Sequence, residues 1–124
     1  MNRLLLLIGA VCGFLAVAFG AFGAHALRDQ ISPEMLAIYQ TAVQYQMIHA
    51  LALLFVAANY GKLHKWIGPL FVAGIVIFSG SLYALSLTGT RILGAITPIG
   101  GLCFLGGWLL LIVSALKMSP TEEN

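Results

Sequence analysis

Charge is what this sequence has least of. Only 8% of its residues are Asp, Glu, Lys or Arg, against 60% that are hydrophobic, and its mean hydropathy is +0.99. A soluble domain carries about 25% charged residues. So few charges cannot cover a soluble surface, and lipid must cover much of the chain. At 124 residues it is one domain at most. The net charge of +2 is scattered over short loops, which argues neither for nucleic acid nor for a polybasic lipid-binding patch.

Cysteine is nearly absent. Cys12 and Cys103 each lie inside an apolar run, with no CxxC pair and no Cys/His cluster at metal-ligand spacing. They read as buried, reduced thiols. A disulfide between them would require the first and last spans to touch. Acids are missing from the spans: Asp29, Glu34, Glu122 and Glu123 all stand in loops or near span ends. No carboxylate is therefore placed to orient a mid-span histidine, and a Ser-His-Asp reading lacks its third member. There is no HExxH, P-loop or Rossmann glycine pattern. No catalytic residue, metal or cofactor is expected, and the chain does not read as an enzyme.

What is present is four long apolar runs. Leu4 to Ala24 rises about 31 Å as a helix, the thickness of a hydrocarbon core. With flanking residues the spans are expected at about 4–27, 36–60, 66–87 and 93–116, forming a single domain over 1–118 with a disordered tail at 119–124. All must be helices, because an open sheet edge in lipid leaves backbone groups unpaired. The Ser32-Pro33-Glu34 run is a helix-start signal for the second span, and Thr97-Pro98 is expected to kink the fourth. Connectors this short force four antiparallel transmembrane helices into an all-α, up-down bundle. With four spans, Arg3, Lys62, Lys65 and Lys117 fall on one side, and Arg28 and Arg91 on the other. The positive-inside bias places both termini in the cytoplasm of a multi-pass bacterial inner-membrane protein.

The stretch GAFGAHAL, from Gly20, closes the first span. Ala24-His25-Ala26 fits a signal-peptidase pattern, but the apolar run before it is far longer than a signal core. Gly9, Gly13, Ala16, Gly20 and Gly23 fall within an arc of about 100° on a helix. Gly100 and Gly107 belong to a similar stripe on the fourth span. In lipid, small residues let two backbones approach, so both stripes read as packing faces, within the chain or between copies. His25 projects away from the first stripe, at headgroup depth, where an imidazole can be solvated or can bond the last free carbonyls.

The first half of the second span is unusually polar. Thr41, Tyr45 and His49 share an arc of about 80°, with Gln44 at one flank and Gln46 nearby. His49 lies near the bilayer middle, where ionisable groups are costly and are candidate functional sites. Two readings stand side by side. In one, a neutral His49 is structural glue, hydrogen-bonded to Tyr45, Gln44 or a third-span group such as Ser79, Ser81 or Tyr83. In the other it is a proton or solute site. His25 and His49 sit at different depths, so paired haem ligation is not expected.

The segments GAFGAHAL, YQTAVQYQMIHALALL, FSGSLYALSLTG and LGAITPIGGLCFLGGWLLL, in this order from about Leu5 to Leu116, resemble a small bacterial inner-membrane family. That family is classed as a domain of unknown function and has a related eukaryotic family of small transmembrane proteins. The resemblance implies a four-helix integral membrane protein. It carries over no catalytic role, and it puts Gly20, Gly23, His25, Tyr45, Gln46, His49, Ser79, Gly80, Tyr83, Thr97, Pro98 and Gly100 in signature segments.

Three functions follow for comparison. The first is an accessory, structural or assembly protein acting through helix contacts, with the bilayer, further copies of itself or a larger membrane complex as partners. The second is an oligomeric transporter or channel for a proton or small polar solute, using the polar face of the second span. The last is a lipid- or quinone-binding membrane enzyme.

Overall fold

The fold is taken from a computed structural model, which describes residues 1–120. From residue 121 on, the expected tail lies outside the described residues. Four helical spans carry the chain: α1, Arg3–Leu27; α2, Pro33–Ala58; α3, Ile67–Thr88; and α4, Arg91–Lys117. Each is long and apolar enough to cross a membrane, and each matches an expected span within a few residues.

The ends follow from local chemistry. The Asn2 side chain accepts from the Leu5 N–H and caps α1. Ser32 accepts from the Met35 N–H at 3.1 Å with Pro33 opening α2, as the Ser-Pro-Glu signal requires. Gly89, at φ +73°, ends α3 in the left-handed conformation that a side chain resists. α4 opens with a 3₁₀ segment, Arg91–Ala95, and its α-helical part begins at Thr97. Pro98 therefore starts a helix, where its missing N–H costs nothing, and does not kink one.

Two further spans are not α-helical throughout. Gly23–Leu27 at the end of α1 and Ile75–Ser79 inside α3 are π-helical turns. Each widens its helix by one residue and redirects the face that follows. The GAHAL stretch is therefore a wide last turn of the first span, with Gly23 and Leu27 buried.

Burial identifies the centre. The apolar windows of α2 and α3 are 39% and 33% buried, against 17% and 22% for α1 and α4. α1 packs mainly on α2, and α4 mainly on α3. Cys12 and Cys103 are free thiols, but each is half-buried rather than buried as the sequence suggests.

The bundle is held differently at its two ends. Toward the termini the core is apolar: Leu5, Leu53, Val56, Ala57, Ile67, Phe71, Ile75 and Phe104 form one cluster. Toward the opposite end hydrogen bonds take over between helices. This division accounts for Tyr39 and Gln46 in the polar first half of α2.

Candidate functional site

α2 sorts its polar residues onto different neighbours. Gln46, 4% exposed, points between α1 and α3. Its Nε2 donates to the Cys12 carbonyl at 2.8 Å, and its Oε1 accepts from the Tyr83 hydroxyl at 2.6 Å. One side chain thereby joins three spans. Around it, the Tyr39 hydroxyl donates to the Phe19 carbonyl, and the Ser79 hydroxyl donates to the Ala42 carbonyl at 2.8 Å. Ser79 sits in the π turn of α3, which turns its side chain toward α2. Nearby, the Ser81 and Thr97 hydroxyls pair at 2.6 Å between α3 and α4.

His49 belongs to a second cluster, facing α4. It is 3% exposed and stacks on Phe104, with ring centroids 3.6 Å apart and planes 9° from parallel. Its Nδ1 lies 2.8 Å from the Tyr45 carbonyl, and its Nε2 lies 3.0 Å from the Trp108 indole nitrogen. An indole N–H only donates, and a carbonyl only accepts. These two partners select the neutral tautomer with its proton on Nδ1. Both ring nitrogens are engaged, so the imidazole is a bridge between α2 and α4.

This geometry corrects the single polar site expected from the helical arc. Ser79 and Tyr83 do not partner His49; they bond Ala42 and Gln46. Thr41 bonds back to the Ala37 carbonyl of its own helix at 3.1 Å. Gln44 is exposed, and Tyr45 is partly exposed beside His49. His25 is exposed in the π turn, far from the cluster in sequence and facing outward, as expected. Trp108 was not among the sequence candidates. Its signal is weak, since a tryptophan in an apolar run reads as lipid contact. The outer wall of this cluster is a cleft of about 490 Å³ lined by Tyr45, His49, Pro98, Phe104 and Trp108, among others.

The small-residue stripes are mostly used inside the chain. Gly9 faces Ala50 and Leu53, where an added Cβ would meet the Ala50 carbonyl at 3.1 Å. Ala16 is 1% exposed, Gly20 faces Val43, and Gly23 lies against the Tyr39 ring. On α4, Gly100 meets the backbone of Phe78, and Gly107 lies under the Phe71 ring. Phe104 answers by covering Gly74. The spacing Phe-x-x-Gly recurs at Phe71–Gly74 and Phe104–Gly107, and the two copies interlock. Gly13 is the exception: an added Cβ there would meet only the Ala50 Cβ at 3.9 Å. It borders an apolar groove of about 470 Å³ between α1 and α2, lined also by Ala10, Val17, Met47 and Leu51.

Comparison with known proteins agrees with this architecture. The family model described as "protein of unknown function (DUF423)" matches residues 19–101. That segment runs from Phe19, near the end of α1, through the Gln46 bridge to Gly101. A UPF0382 membrane protein of Staphylococcus haemolyticus is 48% identical over 118 residues, covering 93% of this chain and 97% of the relative. The UPF0382 membrane protein YwdK of Bacillus subtilis is 47% identical over 120 residues, covering 93% and 98%. No solved structure matches the chain. The chain is a four-span integral membrane protein that belongs to the DUF423 family.

Proposed function

We propose that this protein is an accessory or structural component of the bacterial inner (plasma) membrane, with both termini in the cytoplasm, and that it works through helix contacts with a transmembrane partner. The observation that carries this reading is the groove at Gly13. The other stripe residues pack within the chain, whereas Gly13 leaves a furrow of about 470 Å³ open to lipid between α1 and α2. A furrow floored by glycine and alanine suits a helix, since small residues permit close van der Waals packing where lipid offers no hydrophobic drive. The polar groups support the same reading. Gln46 and His49 are spent on joining spans, which makes the bundle a scaffold.

The test is native mass spectrometry and cross-linking of the untagged protein, extracted gently from its own membrane. A specific assembly, either of copies or with a larger complex, is expected for the wild type. Gly13→Leu fills the furrow and is expected to abolish that assembly while the monomer stays folded. An unchanged assembly in Gly13→Leu overturns the reading.

Four cations at the terminal side against two at the other support cytoplasmic termini. Cysteines introduced at Lys62 and at Arg28 test the orientation in intact cells. An impermeant thiol reagent should label only the Arg28 site.

A second reading is binding of a lipid or quinone ring in the α2–α4 cleft, where Tyr45 and His49 line one wall. A ring compound co-purifying with the wild type and lost from His49→Ala would favour it over the partner-helix reading.

A further inference from the structure

Two of the three lysines, Lys62 and Lys117, lie far apart in the sequence and line one cavity. The connector after α2 is drawn across to the end of α4, where the His64 backbone N–H donates to Ser114 Oγ at 3.0 Å. Ser114 is buried there. The His64 ring is held in turn, because its Nδ1 accepts from the Trp66 N–H at 3.2 Å. A neutral ring so held carries its proton on Nε2 and remains a donor. Two lysines complete the arrangement. Lys62 from the connector and Lys117 from the last turn of α4 line the same cavity, of about 360 Å³, with Val113 and Met118 as its apolar wall.

We propose that this cavity holds the phosphate of an anionic phospholipid headgroup between Lys62 and Lys117, with the glycerol and upper acyl chain against Val113 and Met118. Two ammonium groups around one cavity repel each other, and an anion between them converts that repulsion into attraction. Among the described residues no acid stands at this end of the bundle; Asp29 and Glu34 are at the other. The depth favours a lipid over a free ion. The cavity lies where the spans end, beside the exposed Trp66, a residue type that marks the headgroup layer. Basic pockets between spans at that depth recognise anionic headgroups. A free phosphate would leave the apolar wall unused.

Native mass spectrometry of the full chain from vesicles of phosphatidylglycerol mixed equally with phosphatidylcholine tests this. The wild type should retain phosphatidylglycerol in preference to phosphatidylcholine. Lys62→Gln with Lys117→Gln should lower that retention by about tenfold, and the double arginine variant should keep it. Arg28→Gln, at the opposite end, should leave it unchanged. Equal retention of the two lipids, or unchanged retention in the double glutamine variant, overturns the proposal. So does displacement of the lipid by millimolar inorganic phosphate, which would make the site one for a free anion. Retention seen only when Glu122 and Glu123 are changed to Gln would also overturn it, because the chain's own acids would then be the occupant.

Discussion

The Trp108 indole N–H donates to Nε2 of His49 across 3.0 Å, and the His49 Nδ1–H donates in turn to the Tyr45 carbonyl. The mid-membrane histidine is thus a two-sided bridge whose partners fix its tautomer. Trp108→Phe keeps the ring packing on Phe71 and removes the donor. It should destabilise the fold by about 1 kcal/mol, the scale of interhelical hydrogen bonds in membranes. The double variant with His49→Phe should cost less than the sum of the single changes, because each removes the same bond. Reversible unfolding in mixed micelles measures the cycle. Additive losses would show that the bond contributes nothing.

The same bond separates structural glue from a transport role. A proton-carrying His49 would need Nε2 free during turnover, and Trp108 occupies it. If His49 conducts, Trp108→Phe should raise proton flux into liposomes and His49→Ala should remove it. The scaffold reading expects the same background flux in the wild type and both variants.

Gln46 joins three spans, tying the Cys12 carbonyl of α1 to the Tyr83 hydroxyl of α3. Gln46→Leu leaves the Tyr83 hydroxyl without its acceptor and should cost about 1–3 kcal/mol. Adding Tyr83→Phe removes the stranded group, so the double variant should recover part of the loss. Thermal aggregation midpoints in a fixed detergent would show this order. If the double variant is less stable than Gln46→Leu, the hydroxyl has a second role.

The four spans are legible in the sequence because lipid imposes one rule, a long apolar helix with charges at its ends. α2 was expected from about residue 36, and Ser32 and Pro33 start it at the place their chemistry demands. The site was less legible. A helical arc at 100° per residue groups Thr41, Tyr45 and His49, but it cannot say which neighbour each meets. Gln46 turned out to face α1 and α3, while His49 faces α4. The π turn at Ile75–Ser79 shifts Ser79 toward Ala42 and away from His49, and no local residue pattern announces such a turn. Trp108 gives no sign of being a partner in the sequence, because nothing in the apolar run around it says where its indole N–H points. The small-residue stripes read as packing faces in the sequence, and all but Gly13 lie against neighbours inside the chain. Their use inside the chain depends on which spans touch, and that is a property of the assembled bundle.

Gly100 and Gly13 look alike in sequence and should behave oppositely. At Gly100 an added Cβ would run into the Phe78 backbone, which the π turn places against α4 and which cannot rotate away as a side chain can. At Gly13 the nearest atom is the Ala50 Cβ at 3.9 Å, an ordinary contact. Gly100→Ala must therefore push α3 and α4 apart and should cost about 1–3 kcal/mol, the range for overpacked sites. Gly13→Ala adds a methyl group to a furrow and replaces the weakest non-proline helix former with the strongest. It should leave stability unchanged or raise it slightly. Unfolding of both variants in the same micelles decides the matter. A Gly100→Ala protein as stable as the wild type would mean that the α3–α4 contact is looser than this geometry, and the Ser81–Thr97 pair beside it would lose its fixed register as well.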